Sequence, residues 1–248
     1  METHPKDRTV LALTGRDAAD YLQGLVTNDV RPEGLTYSAL LTPQGKYLFD
    51  FFLLRISGVI HIDVAASATT ELIKRLLMYK LRAQVELQPS ELSVACGIGE
   101  PPPDAFADPR HPALGWRLYG KSIAADMATD WDRIRVEHCI PQTGLELVPN
   151  STFILEAGFD RLNGVDFQKG CFVGQEVTAR MKHKTELRRR LATVRVRGEA
   201  AFGTEILCGT RRVGKLFSQS GGLGIALLRF DRSHPEPLTA DGAEIIPI

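Results

Sequence analysis

Apolar positions change their period along this chain, and each change marks an element. From Asp17 to Val26 the apolar residues Ala18, Tyr21, Leu22 and Leu25 recur at helical spacing, which predicts one buried helix face. Tyr47 to Ile56 is a dense apolar run, and Ile60, Ile62 and Val64 alternate beyond Ser57-Gly58. These two segments predict strands joined in a tight hairpin. Ser67 then stands where a cap belongs, ahead of a helix whose Leu72, Ile73, Leu76 and Leu77 face a core. Shorter strand-like pieces follow at Gln84 to Leu87 and Leu92 to Cys96.

The texture changes at Gly99 to Pro112, where Pro101-Pro102-Pro103 and further prolines oppose regular structure and predict a surface connection. Thr129 or Asp130 caps a helix carrying Trp131 and Ile134, and Pro141 to Asn150 reads as a loop. Val177 and Met181 give the period of a helix beginning near Gln175. Beyond Arg190 the pattern becomes short β segments separated by glycines: Ala192 to Val196, Thr204 to Leu207, Arg212 to Phe217, Leu223 to Leu228 and Glu244 to Ile248. Such spacing predicts a small closed or half-closed barrel. The whole reads as mixed α and β structure, and 248 residues suffice for two or three small domains.

Composition narrows the function classes. Thirty basic and thirty acidic residues cancel, so no global charge points to nucleic acid or a membrane surface. No apolar run approaches the roughly 20 residues of a spanning helix, and Met1 to Asp7 lacks a secretory core or an arginine-rich amphipathic pattern. A cytoplasmic location is the default expectation. The four cysteines, Cys96, Cys139, Cys171 and Cys208, form no C-x-x-C pair, which argues against a metal or cluster site built from sequence-local ligands and fits a reducing compartment.

One stretch concentrates chemistry. In Gln168-Lys169-Gly170-Cys171-Phe172-Val173-Gly174-Gln175-Glu176 a cysteine stands between two glycines, with a cation before it and a carboxylate after it. The glycines allow a sharp turn and a close approach to a ligand. A helix N-terminus near Gln175 and the charge of Lys169 both favour the thiolate, the reactive form of Cys171. The competing reading is a buried cysteine acting as a small hydrophobe. Directly after it come six cations, Arg180, Lys182, Lys184, Arg188, Arg189 and Arg190, against the single acid Glu186. That run reads as a solvated face or as a site for an anionic tail or a partner protein. Nucleic acid fits less well, because the stretch has no aromatic residues to stack bases. Trp116 and Trp131 read as packing residues.

The block Lys169-Gly170-Cys171-Phe172-Val173-Gly174-Gln175-Glu176, continued by Val177-Thr178-Ala179-Arg180, resembles the signature of the YgfZ family of folate-binding proteins. That family is related to the T protein of the glycine cleavage system, an aminomethyltransferase, and includes a mitochondrial factor needed to mature 4Fe-4S proteins. Further blocks are similar to the same family in order along the chain: Leu13 to Ala18, Tyr21 to Val30, Leu41 to Lys46, Met78 to Arg82 and Val213 to Leu216.

The resemblance implies an α+β fold: a T-protein-like body of two interleaved α+β subdomains around a central folate-binding hole, residues 1–190 with 51–130 inserted, then a C-terminal β-barrel at 191–248. It implies tetrahydrofolate as cofactor, with Glu156 of Leu155-Glu156-Ala157-Gly158 facing the pterin and Asp50 beside it. Gly170, Gly174, Gln175 and Arg180 are further folate-facing candidates, and Cys171 with Lys169 is the reactive pair. On the residues alone, Glu156 also reads as a solvated loop charge and Asp50 as a strand-end carboxylate. A T-protein segment carries paired acids where this chain has Phe49-Asp50, so aminomethyl transfer is not expected to carry over. The implied function is a folate-binding accessory protein for assembly or repair of 4Fe-4S enzymes, with iron-sulfur client or assembly proteins as partners; the alternative is a folate-dependent one-carbon transferase or demethylase. Binding to RNA through the basic run is a third, weaker possibility.

Overall fold

The computed structural model describes residues 7–121, 129–184, 187–230 and 236–248; the N-terminal segment Met1–Lys6, Glu186 and the side chain of Lys184 lie outside the described residues. The chain opens with β1 (Arg8–Thr14), α1 (Ala18–Gln23), β2 (Gly34–Leu41), β3 (Tyr47–Ile56), β4 (Val59–Ala65), α2 (Thr69–Lys80) and β5 (Glu86–Pro89). The five strands form one antiparallel sheet in the order β2-β3-β4-β1-β5. The hairpin between β3 and β4 turns on Ser57 (φ 51°) and Gly58 (φ 80°), and two successive positive φ values match the right-handed twist of the strands. β3 runs unbroken across position 51, where the sequence division starts an inserted part. Residues on both sides of that point therefore belong to one sheet.

Alternation gives this sheet two different faces. Leu11, Leu13, Phe51, Leu53, Ile60, Ile62 and Val64 pack under α1 and α2 through Leu22, Leu72 and Leu76. Each such buried side chain contributes on the order of 1.5–3 kcal/mol. The opposite face carries Tyr37, Phe52 and Phe159 in a second core, with Asp50 and Asp63 buried beside them. A register shift between Leu40 and Leu41 makes Leu40 pair with Phe49 but Leu41 with Tyr47. The bulge re-aims Tyr47, so its hydroxyl reaches Asp50 three positions away, a spacing that simple alternation would put on opposite faces.

α1 and α2 lie within the predicted segments, but Ser67 does not cap α2. It sits inside a 3-10 turn, Ala66–Ala68, and the residue before the helix is Ala68, which makes no side-chain cap bond. A single tightened turn carries β4 directly into the helix, leaving no separate capping position.

A smaller sheet, β6 (Ser93–Gly97), β7 (Phe106–Ala107) and β8 (Trp116–Gly120), is ordered β6-β8-β7. The proline-rich stretch expected as a surface connection contains β7 and the buried Asp108. Pairing with β8 and the Asp108 ion pairs hold it down. Asp130 caps α3 (Trp131–Glu137), accepting from the Arg133 N–H at 2.9 Å. α4 spans Gln175–Lys184 and starts where its periodicity places it.

The C-terminal strands close a barrel in the order β10-β11-β12-β9-β14-β13, with β9 (Arg189–Arg197), β10 (Glu205–Cys208), β11 (Arg211–Ser220), β12 (Leu223–Arg229), β13 (Leu238–Ala240) and β14 (Ala243–Pro247). Its core is Val194, Ile206, Leu216, Ala226, Leu228 and Ile245 with their neighbours. The closed form is the one that removes exposed strand edges. Among the described residues no helix is long and apolar enough to cross a membrane.

Candidate functional site

A cavity of about 710 Å³ opens on the face of the first sheet away from α1 and α2, lined among others by Asp50, Phe52, Arg110, Arg117, Trp131 and Thr143. Asp50 lies in its wall with little exposure and accepts from three hydroxyls: Tyr37 at 2.9 Å on Oδ2, Tyr47 at 2.7 Å and Thr143 at 2.5 Å on Oδ1. Burial first, and then the Asp50 carboxylate, raise both tyrosines well above the usual phenol range, so both remain donors.

Beside Asp50 lies a buried ionic network that joins the two sheets. Arg117 of β8 reaches Asp63 of β4 at 2.7 Å and Asp108 at 3.4 Å. Arg8 reaches Asp63 at 2.6 Å, and Arg110 reaches Asp108 at 2.8 Å. The Tyr119 hydroxyl adds a donor to Asp63 at 2.8 Å. Burial pushes the Asp63 carboxyl up, but the Arg8 and Arg117 guanidiniums outweigh it and hold it below the usual carboxylate range. The three guanidinium carbons stand 5.5, 4.8 and 3.8 Å from the Phe52 ring centroid for Arg8, Arg110 and Arg117, so three cations gather around one phenyl ring. In the same cavity wall the Trp131 indole N–H is buried with no hydrogen-bond partner among the described residues. That makes Trp131 a donor without an acceptor as well as the packing residue its sequence context suggests.

Cys171 is elsewhere. It is free and exposed, the other three cysteines being buried or half-buried, and it lines neither this cavity nor the smaller one described below. The cysteine that the family resemblance makes the reactive residue thus stands on an open surface loop, apart from both cavity linings. The loop is anchored from beneath. Lys169 is buried, and its Nζ donates to the main-chain carbonyls of Gln23 (2.8 Å), Val26 (2.5 Å) and Asn28 (3.0 Å). All three donors of the ammonium are thereby committed. Burial pulls the Lys169 ammonium down to about 8. The reactive-pair role expected of Lys169 gives way to a tether between the cysteine loop and the end of α1.

The two glycines of the motif differ. Gly174 has φ +84°, and a Cβ there would stand 2.6 Å from the Thr42 carbonyl oxygen and 3.0 Å from the Gly45 Cα. Gly45, φ +74°, would meet Val177 in return at 2.9 Å. The start of α4 is therefore docked on the turn between β2 and β3, backbone against backbone. A Cβ at Gly170 would meet nothing within 4 Å. The Gln175 N–H donates to the Phe172 carbonyl at 3.2 Å, folding the loop back onto the helix start. Blocks 21–30, 41–46 and 169–176, distant in sequence, meet here.

Glu156 does not face the large cavity. Both its oxygens accept from Arg189 Nε, at 2.9 and 3.0 Å, beside a cavity of about 60 Å³, too small for a pterin. Its main-chain oxygen accepts from the Leu191 N–H, so this segment clasps the first barrel strand. The expected pairing of Glu156 with Asp50 around one ligand is not what the fold produces, because they lie at different cavities. Arg180 and Gln175 lie on α4, away from the lining of both cavities. The basic run is largely engaged: Lys182 pairs with Asp160 at 2.9 Å, Arg189 with Glu156, and Arg190 stands 4.5 Å over Phe230. Sequence reasoning missed Tyr37, Tyr47, Asp63, Asp108, Arg110, Arg117 and Thr143. No local pattern joins them, since they converge from separate elements.

Residues 188–248 match the family model described as CAF17, C-terminal beta-barrel domain. The chain is 30% identical to the human protein named iron-sulfur cluster assembly factor IBA57, mitochondrial, over 89% of this chain and 75% of that one. It is also 30% identical to the IBA57 homolog of Mycosarcoma maydis, over 74% of this chain and 54% of that one. In structure it resembles the glycine cleavage system aminomethyltransferase T of Bartonella henselae, with a TM-score of 0.75, 13% identity, and coverage of 99% of this chain and 83% of that one. That likeness establishes a T-protein-type fold. Identity at this level and coverage, with the matching barrel and body, make the chain a member of the IBA57/CAF17/YgfZ family.

Proposed function

We propose that this chain assists iron-sulfur cluster assembly, the role printed in its relatives' names, through two separate parts: a folate-holding cavity at Asp50 and an exposed thiol at Cys171. The observation that carries this reading is the exposure of Cys171 on a loop whose anchoring groups, Lys169 and Gly174, are fixed below it. A thiol presented this way is open to iron, sulfur or an oxidised group on an iron-sulfur client or assembly protein, and its thiolate is the nucleophile and metal ligand.

Tetrahydrofolate fits the larger cavity. About 710 Å³ lies within the range of small-molecule sites. Asp50 Oδ2 takes one hydroxyl and keeps acceptor capacity for a pterin N–H. The unpartnered Trp131 N–H offers a donor, and the flanking Arg8 and Arg110 offer charge to a glutamate tail. When bound, the folate supplies one-carbon chemistry; the chain's own part is to orient it and screen it from water. Glu156 is assigned to the barrel contact instead.

The decisive experiment is complementation. Cys171→Ala folds, binds tetrahydrofolate in a calorimetric titration, and fails to restore cluster enzymes in cells lacking the protein; full restoration removes the thiol from the mechanism. In the same titration Asp50→Asn weakens folate binding, and unchanged affinity removes the cavity assignment.

A one-carbon transferase is the second reading, favoured by the position of Asp50 in the charged cavity. Phe49 packs with the α1–α2 core instead, so this pair of positions gives the cavity one carboxylate. On that reading pure protein, tetrahydrofolate and an amine donor give methylene-tetrahydrofolate, and Asp50→Asn abolishes turnover while Cys171→Ala does not.

A further inference from the structure

The end of α2 exposes apolar surface that the fold does not use. Leu77 and Met78 in the last turn of α2 and Leu81 just past it are 51%, 67% and 88% exposed, so Leu77 does not join Leu72 and Leu76 in the core as its spacing predicts. Leu81, the C-cap of α2, sits at φ 43°, ψ −108°, a positive-φ backbone that favours glycine. An exposed leucine in such backbone satisfies neither packing nor local conformation, and strain of this kind concentrates at functional surfaces. The surrounding structure fixes it. Tyr21 Oη donates to the Leu76 carbonyl at 2.5 Å, Ala83 N to the Lys80 carbonyl at 2.8 Å, and Gln84 N to Asp17 Oδ2 at 2.7 Å.

Around these side chains stand Arg75, Lys80 and Arg82, none of which has an ion-pair partner among the described residues, whereas Lys74 is paired with Glu71. The patch is also joined to the cysteine loop. Tyr21, which holds the last turn of α2, is two residues from Gln23, whose carbonyl holds Lys169. Val173 and Tyr79 pack on the same core.

We propose that the end of α2 is a docking surface for an acidic, apolar-faced segment of the protein that Cys171 serves. This rests on the reading that Cys171 acts on a partner's iron or sulfur. The apolar centre takes the partner's hydrophobic side chains, and the free cations select acidic ones, which sets orientation and speeds encounter. Docking there brings the partner beside α1 and the loop that α1 anchors. An anionic membrane is the less favoured occupant, because such surfaces draw on larger clusters of about four to eight cations.

Two variants test the docking surface. Leu77→Ser/Met78→Ser/Leu81→Gly removes the apolar centre, and glycine at 81 accepts the positive φ without strain, so the fold is retained. Arg75→Glu/Lys80→Glu/Arg82→Glu reverses the rim. Each is expected to lower restored cluster-enzyme activity about tenfold in cells lacking the protein, while purified protein keeps wild-type tetrahydrofolate binding and a wild-type rate of Cys171 alkylation. Full restoration by either variant overturns the proposal. So does binding of the wild type to phosphatidylserine vesicles that the apolar variant loses, which assigns the patch to lipid. If Cys171→Ala restores fully while the patch variants fail, docking stands and the thiol reading falls.

Discussion

At Asp50 the carboxylate is enclosed by Tyr37, Tyr47 and Thr143 and flanked by a paired ionic network, whereas Cys171 stands exposed on a loop whose anchors all lie beneath it. The first region is assembled from many elements and leaves little room to move. The second hangs on one buried lysine and one glycine contact. A preorganised cavity suits a small ligand that must be oriented, and an open thiol suits a macromolecule that must reach it. Changes in the cavity wall should therefore register as stability, and changes at the loop tip as function without stability.

Arg117→Met should give the largest effect. It takes one of two guanidinium partners from each of Asp63 and Asp108, which keep Arg8 and Arg110, so the loss falls at the lower end of the about 3–5 kcal/mol that breaking a buried pair costs. Urea unfolding should show the unfolding free energy falling by that amount, and a neutral result would mean the network contributes little. Next comes Gly174→Ala, where strained backbone costs about 1–3 kcal/mol and the clash with Thr42 adds to it.

Lys169 should show a smaller effect, visible as a pH slope. In the folded chain it gives up its proton near 8, while its ordinary value in the unfolded chain is 10.5. Between those values the unfolded chain binds more protons, so stability rises with pH. The burial penalty is complete below about 8 and fades toward 10.5. Unfolding midpoints from pH 7 to 10 should climb for wild type relative to Lys169→Met; parallel curves would refute the buried ammonium. Smallest is Gly170→Ala, which meets open space and should change stability by under about 0.5 kcal/mol. A large loss of thermal stability there would show that the loop is packed, erasing the contrast with the cavity.

Much of the fold was legible in local pattern. The β3–β4 hairpin followed from a dense apolar run, an alternating one and Ser57-Gly58. Asp130 was readable as a cap and Gln175 as a helix start. The barrel was legible as spaced β segments, except for β13, whose three residues are too short to carry a period. β7 was hidden for the same reason, inside a proline-rich stretch held by pairing and ion pairs rather than by its own propensity.

For the site, the cysteine motif was legible locally, since a cysteine between glycines with flanking charges is written in consecutive residues. The sequence by itself also determined that Asp50 lies on a buried strand. Only the tertiary structure decided that Lys169 faces inward to three carbonyls, that Glu156 clasps Arg189, and that the cavity belongs to Asp50 rather than to the cysteine. The reason is physical: a side chain's partners are chosen by which distant backbones pack against it and by how burial changes the balance between water and protein contacts. Neither quantity is a property of neighbours in sequence.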